Sequence, residues 1–295
     1  MKHLVGNKKN EFLLYIIPAL LVFIFTVILP IISSLSYSFY DWDGIGDKKF
    51  IGFDHYIRMF TEDPMFWKVF KNNIFFTIIG TVVQIVTGLT LAILLMSVYK
   101  FRTTIKVLYF VPCVIASMAI SQIFTKLLSI NPEGVINYLL GVVGLEHLKT
   151  AFLSDPDLTL LIVSLVDAYK FSGIYMVIYF TAFLSISDEI IEAAKIDGCN
   201  WWQQYVYIRF PLIKNIIWIT VVMLVSGTLK GFDIPYILTN GGPGASSELV
   251  STYMYKTAFN SIDYGYGSAL AVFLVIECLV IIGVLGKLFS GGEAK

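Results

Sequence analysis

The sequence predicts an all-α integral membrane protein with six transmembrane helices, and three observations carry that prediction. Hydrophobic residues make up 57% of the 295 positions and charged residues only 14%, a balance too skewed for one soluble core of ordinary size. Six apolar stretches, residues 13–39, 74–98, 105–128, 158–186, 212–238 and 268–289, reach the roughly 20 residues a helix needs to cross a bilayer. Runs such as "LTLAILLMSV" do not alternate in polarity, which excludes the short alternating strands of a membrane β-barrel.

The first stretch follows Lys2, Lys8 and Lys9, but its apolar core is far longer than the roughly 7–15 residues of a signal peptide. It is expected to remain as the first helix. With the N-terminus inside, segments 1–12, 99–106, 185–214 and 286–295 hold eleven Lys and Arg, against eight in 40–73, 126–157 and 239–267. Cytoplasmic connections carry that excess. "YKFRTTIK" packs Lys100, Arg102 and Lys106 together and anchors the orientation. Both termini and the connection 187–211 are then expected in the cytoplasm, with residues 1–295 forming one transmembrane domain.

That connection contains "EAAKIDGCNWWQQYVYIRFP" at 192–211. Ser187 can cap a helix whose first turn carries Asp188 and Glu189, both favourable at the positive end of the helix dipole. Gly198 ends or bends this helix, and Asn200 can cap a second one. In that second helix Trp201, Trp202, Tyr205 and Ile208 recur as one face. Pro211 suits the first turn of the fifth span, where its missing N–H costs nothing. Ala193 and Ala194 leave room for close packing. The residues alone describe a compact elbow on the inner membrane surface, and equally an interfacial connector without a partner.

Charges inside the apolar stretches are costly unless they face protein or water. Asp167 and Lys170 lie three apart on the fourth stretch, and Lys230 and Asp233 three apart on the fifth, so each pair is expected on one helix face. One reading is polar glue between helices. The other is that they line a transport vestibule with Tyr169, Gly173, Tyr175 and Thr228, whose aromatic faces and hydroxyls suit a sugar. Glu277 is expected to face the bundle or a partner chain, with a proton relay as the alternative.

Several chemistries are excluded. Cys113 and Cys278 fall in apolar stretches and Cys199 in the inner connection, so no outer pair suggests a disulfide. His3, His55 and His147 lack ligand spacing, and no metal site is expected. "GVLGKLF" lacks the spacing and the hydroxyl of a phosphate-cradling loop. No catalytic constellation is legible. The chain is expected to be no enzyme, and no nucleic acid is expected as a partner.

The pattern "EAA…DG…I…P", here Glu192, Ala193, Ala194, Asp197, Gly198, Ile208 and Pro211, resembles the EAA loop of permease subunits in binding-protein-dependent ABC importers. "YILTNGGPGASSELVSTYMYKTAFNSIDYGYGSALAV", and "FIGFDHYIRMF" with "FWKVFKNNIFFT", resemble the carbohydrate-uptake members of the maltose and glycerol-phosphate type. Cys199 stands where alanine is usual, and "IRFP" where "I-LP" is. The resemblance implies the type I importer permease fold, with residues 187–211 as a cytoplasmic coupling helix docked on an ATP-hydrolysing subunit. It implies a second homologous permease subunit, two ATP-binding cassette subunits and an extracytoplasmic solute-binding protein as partners. Also implied are a carbohydrate cargo and a prokaryotic cytoplasmic membrane. ATP and Mg would be used by the ATPase partners, with no cofactor bound by this chain. An ion-coupled secondary transporter is the rival; it predicts inverted internal repeats, which are not evident.

Overall fold

The computed structural model describes residues 8–98 and 100–290, with side chains from Tyr15 to Leu288 apart from Tyr99. In chain order, α1 (Lys8–Phe23) and α2 (Leu29–Tyr37) are joined by a wide π-type turn at Ile24–Ile28. No residue of Tyr15–Tyr37 is buried, so this apolar rod is left to lipid or another chain. A two-stranded hairpin follows, β1 (Tyr40–Asp41) antiparallel to β2 (Lys49–Phe50). Then come α3 (Asp54–Thr61), α4 (Pro64–Ser97), α5 (Arg102–Val114), α6 (Ser117–Leu127), α7 (Val135–Val142) and α8 (Thr159–Leu184). The connection holds α9 (Asp188–Ile196), α10 (Trp201–Gln203) and α11 (Phe210–Leu212), and the chain closes with α12 (Lys214–Leu229), α13 (Asp233–Thr239), α14 (Val250–Tyr255) and α15 (Tyr264–Ser290).

The chain resolves into two compact units. The first comprises the residues up to Asp63 together with Met254–Val275. It is tied by polar links: Arg58 pairs with Asp263 at 3.1 Å, and the Tyr266 hydroxyl donates to Asp63 at 2.5 Å. Lys48 lies 4.1 Å from the Tyr37 ring centroid and 4.3 Å from that of Trp42, a cation between two aromatic faces. The hairpin loop is braced by Asp43, whose Oδ1 accepts from the backbone N–H groups of Ile45 and Gly46, each at 2.9 Å.

The second unit, Pro64–Tyr253 with the chain from Ile276 on, is organised around α4 against α8. Pro64 opens α4 at a position where a missing N–H is harmless, and 34 residues at 1.5 Å each give about 51 Å. The helix therefore begins well before residue 74, where the apolar stretch starts. Small residues set the spacing: a Cβ on Gly88 would lie 3.0 Å from Tyr175 Cβ, and one on Gly173 only 2.0 Å from Tyr109 O of α5. Such positions let helix backbones approach. One core cluster gathers Ala92, Leu95, Tyr179, Phe183, Tyr205 and Ile213; another gathers Phe76, Ile120, Val163, Ile234 and Leu249.

Two expected spans are not single helices. Residues 105–128 divide into α5 and α6, which meet at 98° because Ile115 and Ala116 adopt extended backbone, with ψ of 139° and 137°. Residues 212–238 break twice: Trp201–Leu212 and Lys214–Leu229 meet at 68°, and the helix stops at Leu229 before α13 resumes at Asp233. At the second break Gly231 is required, since a Cβ would lie 2.7 Å from the Phe76 ring. The freed carbonyls are satisfied by neighbours: Asn73 Nδ2 donates to Leu229 O at 3.3 Å, and Ser251 Oγ donates to Gly231 O. Non-helical backbone inside an apolar bundle survives only when so satisfied. Among the described residues, four helices are long and apolar enough to cross a membrane, or six if each bent pair counts as one span.

Candidate functional site

Two sites emerge within the second unit: the elbow over residues 187–211 and a cavity beside the break in the fifth span.

In the elbow, Asp188 and Glu189 occupy the first turn of α9. Ser187 stands at the cap position with extended backbone, but its side chain makes no capping bond. The helix ends in a Schellman turn: Cys199 N–H donates to Ala194 O at 2.9 Å and Gly198 N–H to Lys195 O at 3.1 Å, with Gly198 at φ +82°. Only glycine adopts that φ routinely. Asn200 then caps α10 in a reciprocal box: its Oδ1 accepts from Gln203 N–H at 2.9 Å, while Gln203 Oε1 accepts from Asn200 N–H at 2.8 Å. The Asn-x-x-Gln spacing is a capping-box signature, and reading Asn200 alone misses its Gln203 half.

The motif residues divide by exposure. Glu192, Ala193, Asp197 and Gly198 face outward, Ala194 and Ile191 are buried beneath α9, Ile208 is half-buried and Pro211 exposed. Trp201 packs on Tyr205 with ring centroids 4.7 Å apart and stacks on Trp202 at 6.3 Å, so the three aromatic residues meet as expected. A π-type turn at Gln204–Arg209 adds a residue to the turn and rotates the positions after it. Tyr205 is buried edge-on against Phe183 with centroids 5.6 Å apart, whereas Trp202 is 62% exposed. Pro211 lies in α11, before the 68° bend, so it precedes the fifth span instead of opening it.

The cavity, of about 350 Å³, lies where α8, α6, α4 and the break between α12 and α13 converge. Asp167, Tyr175, Thr228, Lys230 and Asp233 line it, joined by Gln84, Ser117, Phe171 and Phe232. Tyr169, Lys170 and Gly173 do not. Tyr169 points elsewhere, edge-on to Phe124 at 5.5 Å, and Gly173 serves the contact with α5. Lys170 is buried, and its Nζ donates to Ser117 Oγ; that hydroxyl donates to Asp233 Oδ2 at 3.1 Å. Lys230 and Asp233 share no helix face, because the helix ends between them. Their shared wall is made by the break itself. Ser117 and Gln84 carry no charge to flag them in the sequence. Glu277 is buried within the bundle and accepts from Asn73 Nδ2 at 3.3 and 3.4 Å. Among the described residues no cluster of three or more His, Cys, Asp or Glu could hold a metal.

Residues 84–291 match the family described as binding-protein-dependent transport system inner membrane component. The chain is 36% identical to the probable ABC transporter permease protein YurN of Bacillus subtilis, over 99% of this chain and 100% of that one. It is 31% identical to the probable starch degradation products transport system permease protein AmyD of Thermoanaerobacterium thermosulfurigenes, over 92% and 91%. Its fold matches a chain in the crystal structure of a bacterial alginate ABC transporter complexed with alginate pentasaccharide-bound periplasmic protein, with TM-score 0.84, 23% identity and 97% of each chain covered. The apolar helices, the elbow and a family match over most of its length make this chain a multi-pass membrane protein that belongs to the binding-protein-dependent transport system inner membrane component family, a permease subunit of ABC importers.

Proposed function

We propose that this permease forms half of the translocation pathway of a sugar importer, and that its elbow is the seat of a separate ATPase subunit. The observation that carries the second part is the build of the elbow. Two short helices, one closed by a Schellman turn at Gly198 and the other opened by the Asn200–Gln203 box, make a stiff body anchored on Tyr205 while Glu192 and Ala193 stay exposed. A stiff, seated lever conveys the closure of a partner; a flexible loop absorbs it. One such elbow offers one docking surface, so two ATPase chains call for a second, related permease chain to complete the pore.

A sugar cargo is supported by the starch-product permease among the relatives and by the mix of aromatic, hydroxyl and carboxyl groups on the cavity wall. A solute-binding protein delivers it from the outer face. Both termini and the elbow lie in the cytoplasm, and ATP and Mg belong to the ATPase partners, with no cofactor held by this chain.

The test is to recover the tagged chain in mild detergent and identify its companions, for the native sequence and for Glu192→Lys. An ATPase and a second multi-span chain should accompany the native protein, and the ATPase should be lost from Glu192→Lys while the protein still inserts. Full retention and uptake in the variant would remove the elbow from the coupling path. Recovery of the native chain alone, from membranes holding the ATPase, would favour the ion-coupled alternative.

A further inference from the structure

The short helix α7 is built inside out. At about 100° per residue, Val135, Ile136, Tyr138, Leu139, Val142 and Val143 share one arc of about 160°, and all six are exposed. Asn137, Leu140 and Gly141 fall on the opposite side, where Asn137 is only 1% exposed. A surface helix bathed in water turns its apolar residues inward; this one turns its amide inward and its valines out. Asn137 is fully engaged there: its Nδ2 donates to Ser129 O at 3.0 Å and to Thr150 O at 3.1 Å, and its Oδ1 accepts from Thr150 N–H at 3.3 Å. Lys149 packs on the same side, close enough that a Cβ on Gly141 would lie 2.6 Å from its Nζ, and pairs with Glu133 at 2.8 Å. Rotating α7 to hide its apolar arc would break these bonds and bury an unpaired amide, which is unfavourable.

The tethers also fix where α7 lies. At Gly134 the chain folds so tightly onto the end of α6 that a Cβ would lie 2.5 Å from the carbonyl oxygens of Lys126 and Leu127. Thr150, held by Asn137, stands shortly before the start of α8 at Thr159. From there α8 runs 26 residues towards the elbow, about 39 Å at 1.5 Å per residue, enough to cross the hydrocarbon core. The tethers therefore hold α7 at the membrane boundary on the face opposite the elbow. Its arc carries no charge, and the Tyr138 hydroxyl is its one hydrogen-bonding side chain. A protein docking surface surrounds an apolar centre with a polar rim. A helix lying in the bilayer interface instead presents an unbroken apolar face, with an aromatic ring whose polar tip stays at headgroup level.

We propose that α7 is an in-plane anchor lying at the headgroup–acyl boundary of the leaflet opposite the elbow, with Leu139 and Val142 towards the lipid tails. The test places one nitroxide label at a time at Leu139, Val142 or Glu146, all exposed positions, after Cys113, Cys199 and Cys278 are replaced by alanine. The labelled chain is reconstituted with its partner chains in phosphatidylethanolamine–phosphatidylglycerol vesicles. Power saturation then compares collisions with oxygen, which concentrates in lipid, and with a water-soluble nickel chelate. Leu139 and Val142 should favour oxygen, at a depth of about 5–10 Å, while Glu146 should favour nickel. Leu139→Trp, with the native cysteines kept, gives an independent reading: lipid brominated on its acyl chains should quench the added fluorescence.

Nickel preference at Leu139 and Val142, or an added tryptophan that brominated lipid leaves unquenched, would overturn the proposal. Shielding of both labels from both reagents would also overturn it, by showing a second permease chain on the arc. Shielding that appears only when the solute-binding protein is added would do the same and mark a receptor-docking face.

Discussion

Gly173→Ala tests the helix crossing that carries the cavity wall. The added Cβ would lie 2.0 Å from Tyr109 O, 2.7 Å from Tyr109 C and 3.0 Å from Phe110 Cα. All three are backbone atoms, so no side chain can rotate aside. Restoring ordinary contact at about 3.5 Å requires α5 and α8 to part by roughly 1.5 Å, in an interior with few voids to accept the movement. Inserting one carbon into a well-packed core costs about 1–3 kcal/mol, and backbone on backbone belongs at the upper end. For a chain of this size that is about 2–12 °C in unfolding midpoint. The assay is thermal unfolding of the purified complex, followed by tryptophan fluorescence, beside uptake at a permissive temperature. Both should fall, because α8 carries Asp167 and Lys170 on the turns just before Gly173. A midpoint within about 1 °C of the native protein with full uptake would show that the crossing is not the close contact described.

Three further outcomes are expected. Asn200→Ala removes the side-chain half of the capping box, the Oδ1 that accepts from Gln203 N–H, and leaves the backbone N–H that donates to Gln203 Oε1; this should weaken the second elbow helix by about 0.5–2 kcal/mol, and amide exchange over residues 200–206 should quicken while that of α4 does not. Asn73→Leu strips Glu277 and the Leu229 carbonyl of the donor they share, destabilising the unit by about 1–3 kcal/mol, and adding Glu277→Leu should recover part of the lost midpoint. The Asp43 carboxyl is held below its ordinary value of 3.8 by the N–H groups of Gly46 and Ile45. Its contribution is therefore present above that value and lost as pH falls through the lowered one. The protection of the Ile45 and Gly46 amides, taken against their intrinsic exchange at each pH, should be lost on acidification through that lowered value, and Asp43→Ala should lack it already at neutral pH.

How much of the architecture is legible in the sequence depends on how far each signal reaches along the chain. Gly198, Asn200 and Pro211 act on their own turn, so the two-helix elbow can be read from its punctuation. The breaks at Ile115–Ala116 and at Lys230–Phe232 cannot. The first falls inside an apolar run; the second carries Lys230 and Gly231, but the groups that stabilise it come from far away, since Ser251 and Asn73 hold its carbonyls. Helical spacing across 230–233 consequently misleads, since Lys230 and Asp233 reach one wall by a break and not by one helix face. Asp167 and Lys170 are visible as charges in an apolar run. Their different fates, one on the cavity and one turned to Ser117, depend on where α6 begins after its 98° turn.

For the proposed coupling, α8 is the element that joins the two sites. Asp167 on the cavity and Phe183 against Tyr205 of the elbow lie 16 residues apart on one uninterrupted helix, about 24 Å at 1.5 Å per residue. Between them Tyr179 is wholly buried and bonded to Thr220 of α12 at 2.7 Å, which pins the rod to the helix that leads to Lys230. An elbow displaced by an ATPase cannot shorten or bend α8 cheaply, because the half of α8 next to the elbow is locked in the cluster of Ala92, Leu95, Phe180 and Tyr205. The compliant points are the interruptions around it, at Ile115–Ala116, at Ile213 and at Lys230–Phe232. Two of these three border the cavity. Motion that enters at the elbow would therefore emerge at the cavity wall of Ser117, Lys230 and Asp233, and the polar chain from Lys170 through Ser117 to Asp233 spans that seam.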